Sequence, residues 1–121
     1  MDYSVFVKKA LEKDKRNKFS TYEGPLDAIP EALKGFYRSY NPVDVELPYD
    51  GVSIRFFQAE DLTTLQEEYR PQKGEFIFAT CNGDPIWYYD GKVYTGPHGT
   101  GDYKWEILSD TVEDFFLAIV A

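Results

Sequence analysis

The feature that most constrains the fold is a pair of short strand-like runs separated by the dipeptide Asp90-Gly91. Residues 86–89 and 92–95 are rich in aromatic and β-branched side chains, which favour strands. Aspartate followed by glycine readily takes the positive φ angles of a two-residue type I′ turn. The sequence therefore predicts an antiparallel hairpin, which needs further strands or a helix to be stable.

Four further segments have the composition of strands: residues 43–47, 52–56, 75–81 and 104–108. The first two alternate between apolar and polar residues, which is typical of half-buried strands. The third is apolar nearly throughout, so we expect a central strand that is covered on both faces. Turns are expected at Pro48–Gly51 and at Asn82-Gly83. With the hairpin, these segments predict a sheet of about six strands.

Apolar residues recur at helical spacing in four segments: 3–13, 30–40, 61–69 and 109–119. Pro30 suits the first turn of the second helix, where a missing amide donor does no harm. Asp61 is expected to cap the third helix. Ser109 or Asp110 is expected to cap the last, because Asp110 and Glu113 have the spacing of a capping box. This order of helices and strands predicts an α+β fold with an antiparallel sheet.

The chain has the length of one domain, 121 residues, and we treat 1–121 as a single unit. Residues 1–18, the first helix with its basic segment, carry six basic and three acidic groups, a net charge of +3. The remaining residues carry seven basic and eighteen acidic groups, a net charge of −11. Such acidity argues against nucleic-acid and anionic-membrane partners. It favours a cationic partner, although solubility alone would also account for it.

A cytoplasmic location is expected from the cysteine content and the hydropathy of the chain. Cys81 is the only cysteine, so no intramolecular disulfide is possible, and we expect it to be a small buried apolar residue. No signal peptide is apparent. The longest apolar run, Phe115–Ala121, has seven residues, whereas a membrane span needs about 20.

The sequence predicts no catalytic machinery, metal site or cofactor. His98 is the only histidine, so a catalytic triad would have to use it, and it stands in a glycine-rich loop, residues 96–101. That loop lacks the Gly-Lys-Ser/Thr ending of a phosphate-binding loop. Adjacent carboxylates such as Glu67 and Glu68 diverge on a helix surface and do not make a glycosidase pair.

Large aromatic residues gather around the predicted hairpin: Trp87, Tyr89, Tyr94, Tyr103 and Trp105. Because side chains alternate along a strand, Trp87 and Tyr89 face one side while Ile86 and Tyr88 face the other. Both sides are therefore apolar. Either helices cover the hairpin, which we favour, or one aromatic face is exposed as an interaction or ligand surface.

Several segments, in this order and spacing, resemble a known family. They are Pro30 with Leu33, Phe36 and Tyr37, the helix of residues 62–69, the turn Asn82-Gly83-Asp84-Pro85-Ile86, and the closing segment of residues 105–117. The set resembles the SUKH superfamily, the Smi–Knr group of yeast cell-wall-synthesis regulators and bacterial immunity proteins. One departure is at residues 105–108, where the family often has a shorter apolar lead into the last helix.

The resemblance implies a twisted antiparallel sheet packed by helices. It also implies an immunity-type function, in which the protein binds a cognate toxin, often a nuclease, without shared catalytic residues. The family's recurrent residues are structural, which makes five positions fold determinants here: Gly83, Asp84, Pro85, Ile86 and Phe116.

We therefore expect a non-enzymatic protein that neutralises a basic toxin domain by covering its active surface. The expected contacts are Asp44, Glu46, Asp50, Glu60, Glu67 and Glu68, with Trp87 and Tyr89 if they are exposed. Two alternatives stay open: a regulatory scaffold without a toxin partner, and a small-ligand or glycan binder that uses the aromatic hairpin.

Overall fold

The structure, a computed structural model, describes residues 3–71, 73–97 and 105–121. The helices of this part of the chain are α1 (Ser4–Lys13), α2 (Glu31–Tyr40), α3 (Leu62–Tyr69) and α4 (Val112–Ile119), with a 3₁₀ helix at Ala59–Asp61. The strands are β1 (Lys18–Ser20), β2 (Asn41–Tyr49), β3 (Val52–Phe56), β4 (Phe76–Cys81), β5 (Asp84–Tyr89), β6 (Lys92–Thr95) and β7 (Glu106–Ser109).

All seven strands form one antiparallel sheet in which each strand pairs with the next along the chain. The predicted α+β class with an antiparallel sheet is confirmed, and the apolar strand β4 is central, with three strands on each side. The sheet has one strand more than the expected six or so. The additional strand, β1, has only three residues, too few to show an alternating pattern, and it forms by pairing with β2.

Three hairpin turns use residue pairs that take positive φ angles: Asp50-Gly51, Asn82-Gly83 and Asp90-Gly91. In each pair both φ values are positive, as a type I′ turn requires. The predicted hairpin around Asp90-Gly91 is therefore confirmed. The first turn is shorter than expected, because Pro48 lies within β2 and pairs in register with Ser53.

The start of α3 differs from the sequence expectation. Asp61 was expected to cap α3, but it makes no capping hydrogen bond and its backbone is already helical. The 3₁₀ helix leads directly into α3, so the chain has no extended residue at the position where a side-chain cap acts. The Asp61 carboxylate instead accepts a hydrogen bond from Gln58 Nε2 at 3.1 Å.

The start of α4 is displaced by one or two residues from the expected cap. Thr111, and not Ser109 or Asp110, is the capping residue, and its Oγ1 accepts a hydrogen bond from the Asp114 backbone N–H at 3.0 Å. Because β7 extends through Ser109, the chain becomes helical later than the sequence pattern indicates.

The core consists largely of aromatic rings packed between the sheet and helices α1, α2 and α4. Phe116 lies at its centre, fully buried. Its ring centroid is 4.7 to 6.3 Å from those of Tyr3, Phe6, Phe36, Phe56, Phe78 and Phe115. Tilted and edge-on ring pairs at such distances add to the stabilisation from burial. The apolar stripes predicted for α2 and α4 face this core.

Two buried or half-buried amides join the elements. Asn17 donates from Nδ2 to the Ala10 carbonyl of α1 at 3.0 Å, and its Oδ1 accepts from the Glu46 N–H of β2 at 2.9 Å. Gln66 of α3 bonds the backbone of Ile77 twice, accepting from its N–H at 2.8 Å and donating to its carbonyl at 2.6 Å. Because β3 pairs with β4 only from Ala79 to Cys81, the Gln66 side chain of α3 supplies the hydrogen-bond partners that β3 does not offer to Ile77.

Candidate partner-binding surface

The acidic residues of β2 lie beside the chain's own basic segment. Asp44 pairs in register with Lys18. The Asp14 carboxylate mainly, and then Glu46 and Asp44, raise the pKa of Arg16. Arg16 also pairs with Asp14 at 2.8 Å. Because Asp44 and Glu46 already lie near basic residues of the same chain, they are less suited to attract a cationic partner than carboxylates without such neighbours.

A second acidic group lies on the 3₁₀ helix and α3. We name it the acidic ridge: Glu60, Asp61, Glu67 and Glu68. These residues are exposed, whereas Leu62 and Leu65 between them point into the core. Among the described residues, the ion pairs are Arg16–Asp14 and Lys34–Glu31, so no ridge carboxylate has an internal counter-charge within salt-bridge distance.

The ridge extends to the turn between β4 and β5. The Tyr69 hydroxyl donates to the Gly83 carbonyl at 2.7 Å. Burial, followed by the charges of Glu68 and Asp84, raises the pKa of Tyr69. Glu68 and Asp84 therefore both lie close enough to the Tyr69 hydroxyl to affect it, although 16 positions separate them in the sequence. The turn that the resemblance marks as a fold determinant thus also borders the ridge.

An aromatic cluster occupies the hairpin and the start of the last strand. Its described members are Trp87, Tyr89, Tyr94 and Trp105, and Tyr103, which was expected among them, lies outside the described residues. The Trp105 ring centroid lies 5.3, 5.0 and 5.2 Å from those of Trp87, Tyr89 and Tyr94. Trp87 is only 1% exposed, whereas Tyr89 is 37% exposed. Of the two aromatic contacts expected on condition of exposure, only Tyr89 therefore meets the condition.

The cluster lies on the face of the sheet away from α4. Ile86, Ala79 and Phe56 are paired in register across three strands and so share one face. Phe56 contacts Phe116 of α4, which makes this the helix-covered face. Trp87 follows Ile86 directly and points to the opposite side. The hairpin therefore has helices on one face and the aromatic cluster on the other.

The rim of the cluster combines apolar and cationic groups. Ile107 pairs in register with Tyr94 and is 50% exposed. The Lys73 Nζ lies 5.9 Å from the Trp105 ring centroid, within the range of a cation–π contact. Ile107 and Lys73 were not among the expected contacts, because the strand register places Ile107 beside the aromatic rings and the path of the chain between α3 and β4 places Lys73 there.

The end of α3, which carries Glu67 and Glu68 of the acidic ridge, lies near the aromatic cluster. Tyr69 ends α3 beside the ridge, and Lys73 lies over the ring of Trp105. A connection of four residues spans at most about 14 Å. One partner surface of ordinary size is wide enough to contact both.

Three further residues were singled out in the sequence: Asp50, Cys81 and His98. Asp50 lies exposed in the β2–β3 turn. Cys81 is half-buried, not buried, because it lies at the end of β4 where the sheet meets its turn. Burial, and then Asp84, raises the pKa of the Cys81 thiol. His98 and most of its glycine-rich loop lie outside the described residues.

Pro85 and Ile86 are buried within β5, and Gly83 has a φ of 87°, which favours glycine.

In the described ranges, no three His, Cys, Asp or Glu residues are grouped so that they could hold a metal ion. None of the helices described is long and apolar enough to cross a membrane. No protein-family model, curated protein or solved structure matches the chain.

Proposed function

We propose that this protein is a cytoplasmic immunity-type protein of the SUKH kind, which neutralises a basic toxin domain by covering its active surface. The observation that carries the proposal is the acidic ridge, whose carboxylates form no salt bridge among the described residues and whose helix ends near the aromatic cluster, where Tyr89 is exposed. The sequence resemblance supports the same function. The partner class is a protein with a basic surface, such as a nuclease.

Each part of the surface has its own physical role in this proposal. The carboxylates of the ridge attract a basic groove at long range and raise the rate of association. Tyr89, Trp105 and Ile107 supply the apolar contact from which water is excluded, and such aromatic residues dominate binding energy at many interfaces. Occlusion of the partner's substrate site then requires no bond-breaking step.

The proposal is tested with toxin domains encoded beside the gene of this protein. Each domain is expressed with and without the protein, cell growth is measured, and the dissociation constant of the purified pair is determined by calorimetry. We expect one such domain to arrest growth alone and to be neutralised by the protein. If no neighbouring domain is bound or neutralised, the proposal is wrong.

Two pairs of matched variants locate the contact. Glu68→Lys should raise the dissociation constant by about tenfold, whereas Glu12→Lys, the same charge change on α1, should have little effect. Tyr89→Ala should raise it by about tenfold. Leu117→Ala removes an apolar side chain of equal exposure, 37%, from α4 and should change it little. If both variants of a pair lose the same amount of affinity, the acidic ridge and the aromatic cluster are not the contact surface.

A small-ligand or glycan-binding function is the second candidate, since Tyr89 on the cluster rim is exposed. The burial of Trp87 leaves fewer ring faces for a sugar than the sequence indicated. A glycan binder should show a rise in thermal stability with one class of oligosaccharide, and that rise should be lost in Tyr89→Ala. A regulatory scaffold would use the same surface for a cellular protein, with no toxin gene beside its own.

A further inference from the structure

A cleft of about 380 Å³ separates the segment of residues 22–29 from the 3₁₀ helix and the start of α3. Its apolar lining includes Ile29, Leu62 and Phe76, which are all buried side chains. The volume falls in the range of small-ligand sites, about 300–1,000 Å³. The cleft is therefore large enough for one long side chain or a small organic molecule.

The charge of the cleft is of one sign. Asp27 and Glu60 line it, and none of the described lining residues is a lysine or arginine. Asn41 donates from Nδ2 to Glu60 Oε1 at 2.9 Å, which fixes the orientation of that carboxylate. The aromatic residues Tyr22 and Phe76 also line the cleft, and aromatic side chains can attract cations. An apolar floor with two carboxylates suits a cation on an apolar stem.

The outer wall of the cleft is held in place by α2. Arg38 Nη1 donates to the carbonyls of Tyr22 and Gly24 at 2.6 and 3.1 Å. The Tyr22 N–H donates in return to the Arg38 carbonyl at 3.0 Å. These three hydrogen bonds attach the segment to a helix of the core. A preformed cleft loses less entropy on binding than a mobile one.

We propose that this cleft binds an alkylguanidinium or alkylammonium group, supplied as an arginine or lysine side chain by the protein partner. The methylene stem contacts the apolar floor, and the charged head bonds to Asp27 and Glu60 by charge-assisted hydrogen bonds. Glu60 belongs to the acidic ridge, so the cleft adjoins the proposed partner surface. The inference rests on the proposed function for the source of the cation, but not for the chemistry of the cleft.

The chemistry is tested with n-butylguanidinium and its uncharged analogue n-butylurea, by amide chemical shifts in two-dimensional NMR. We expect n-butylguanidinium to shift resonances of the cleft with a dissociation constant on the order of millimolar, as its few atoms allow. The urea should bind at least tenfold more weakly. Equal shifts from both probes, or none from either, would overturn the inference.

Matched variants test whether n-butylguanidinium binds in this cleft. Thr63 and Thr64 are neighbouring exposed residues of α3, and only Thr63 lines the cleft. Thr63→Leu should fill the cleft and weaken n-butylguanidinium binding at least fivefold, while Thr64→Leu leaves it unchanged. Leucine favours the helix at both positions, so folding is retained. Asp27→Asn should weaken binding about threefold to tenfold. Equal binding in all three variants would contradict the site.

The partner as the source of the cation is tested with the toxin domain that the protein neutralises. Thr63→Leu should raise the dissociation constant of that complex at least tenfold, and Thr64→Leu should not. If the cleft binds n-butylguanidinium but Thr63→Leu leaves the complex unchanged, the cleft is a small-cation site and the inference is wrong. If the toxin is neutralised but the cleft binds no cation, the inference fails and the proposed function stands.

Discussion

Gln66→Ala tests whether one side chain completes the sheet where β3 ends. The Gln66 amide bonds to both backbone groups of Ile77, at 2.8 and 2.6 Å, and its Nε2 also donates to the Leu62 carbonyl at 3.0 Å. Ile77 is 2% exposed. Alanine removes the amide and leaves the N–H and the carbonyl of Ile77 without these partners.

The expected loss follows from the two backbone groups. Each buried polar group that loses its partner costs about 1–3 kcal/mol, which gives about 2–6 kcal/mol for the two. The variant no longer orders a long side chain, which returns about 1–2 kcal/mol of conformational entropy. We therefore expect the free energy of unfolding to fall by about 3 kcal/mol, a large share of the roughly 5–15 kcal/mol typical of a domain.

The assay is equilibrium unfolding in urea, followed by tryptophan fluorescence and circular dichroism. The control is Glu67→Ala, on the adjacent exposed position of α3, which should change the free energy of unfolding by less than about 0.5 kcal/mol. A loss below about 1 kcal/mol for Gln66→Ala, or a loss equal to that of the control, would refute the argument.

A variant with an ionisable side chain at position 66 makes the test more specific. Gln66→Glu keeps an oxygen for the Ile77 N–H but, when ionised, places a carboxylate against the Ile77 and Leu62 carbonyls. The introduced group then lacks the donor that the amide supplied. Below about pH 4 the carboxyl becomes protonated and regains a donor. The deficit relative to the parent protein should therefore be smaller at pH 4 than at pH 7, and a deficit independent of pH would count against this role.

The remaining predictions concern single polar groups. The Tyr37 hydroxyl is buried and has no hydrogen-bond partner among the described residues, and burial, followed by Tyr3, raises its pKa. Tyr37→Phe should therefore raise the free energy of unfolding by about 1 kcal/mol, and a loss would show that the hydroxyl has a partner. Asn17→Ala should lower the free energy of unfolding by about 2–4 kcal/mol, since one buried and one half-buried hydrogen bond are lost, whereas a change below about 1 kcal/mol would contradict that role. Hydrogen bonds from Arg16 lower the pKa of Asp14 from 3.8 to about 2. The ionised Asp14 carboxylate therefore stabilises the folded state fully above pH 3.8, and this stabilisation is lost as the pH falls towards 2. Carboxyl NMR titration should show that Arg16→Gln returns this pKa towards 3.8, and an unchanged pKa would refute the assigned cause.

The sequence identified most of the regular elements because their signals are local. The helix of Leu33, Phe36 and Tyr37 follows from an apolar stripe at helical spacing, and all three residues are buried. The hairpin around Asp90-Gly91 follows from the conformational preference of two residues. Strand β1 has no such local signal, because its three residues become a strand only by pairing with β2.

The candidate surface was predicted less completely. The charges of Asp44 and Glu46 are evident from the sequence, but the register that sets Lys18 opposite Asp44 and the approach of Arg16 depend on tertiary structure. The acidic residues of α3 are evident from the sequence, whereas the structure was needed to show that they form no salt bridge among the described residues. The exposure of Ile107 beside Tyr94 likewise depends on which strands pair.

Local preferences of this sequence determined its helices, its tight turns, its antiparallel class and its acidity, because helical period, turn conformation and charge are properties of neighbouring residues. Tertiary structure decided which carboxylates meet a cation of the same chain, which aromatic rings remain exposed and which amides complete the sheet. Those outcomes depend on contacts between residues distant in the chain, and only the pairing and packing of whole elements bring such residues together.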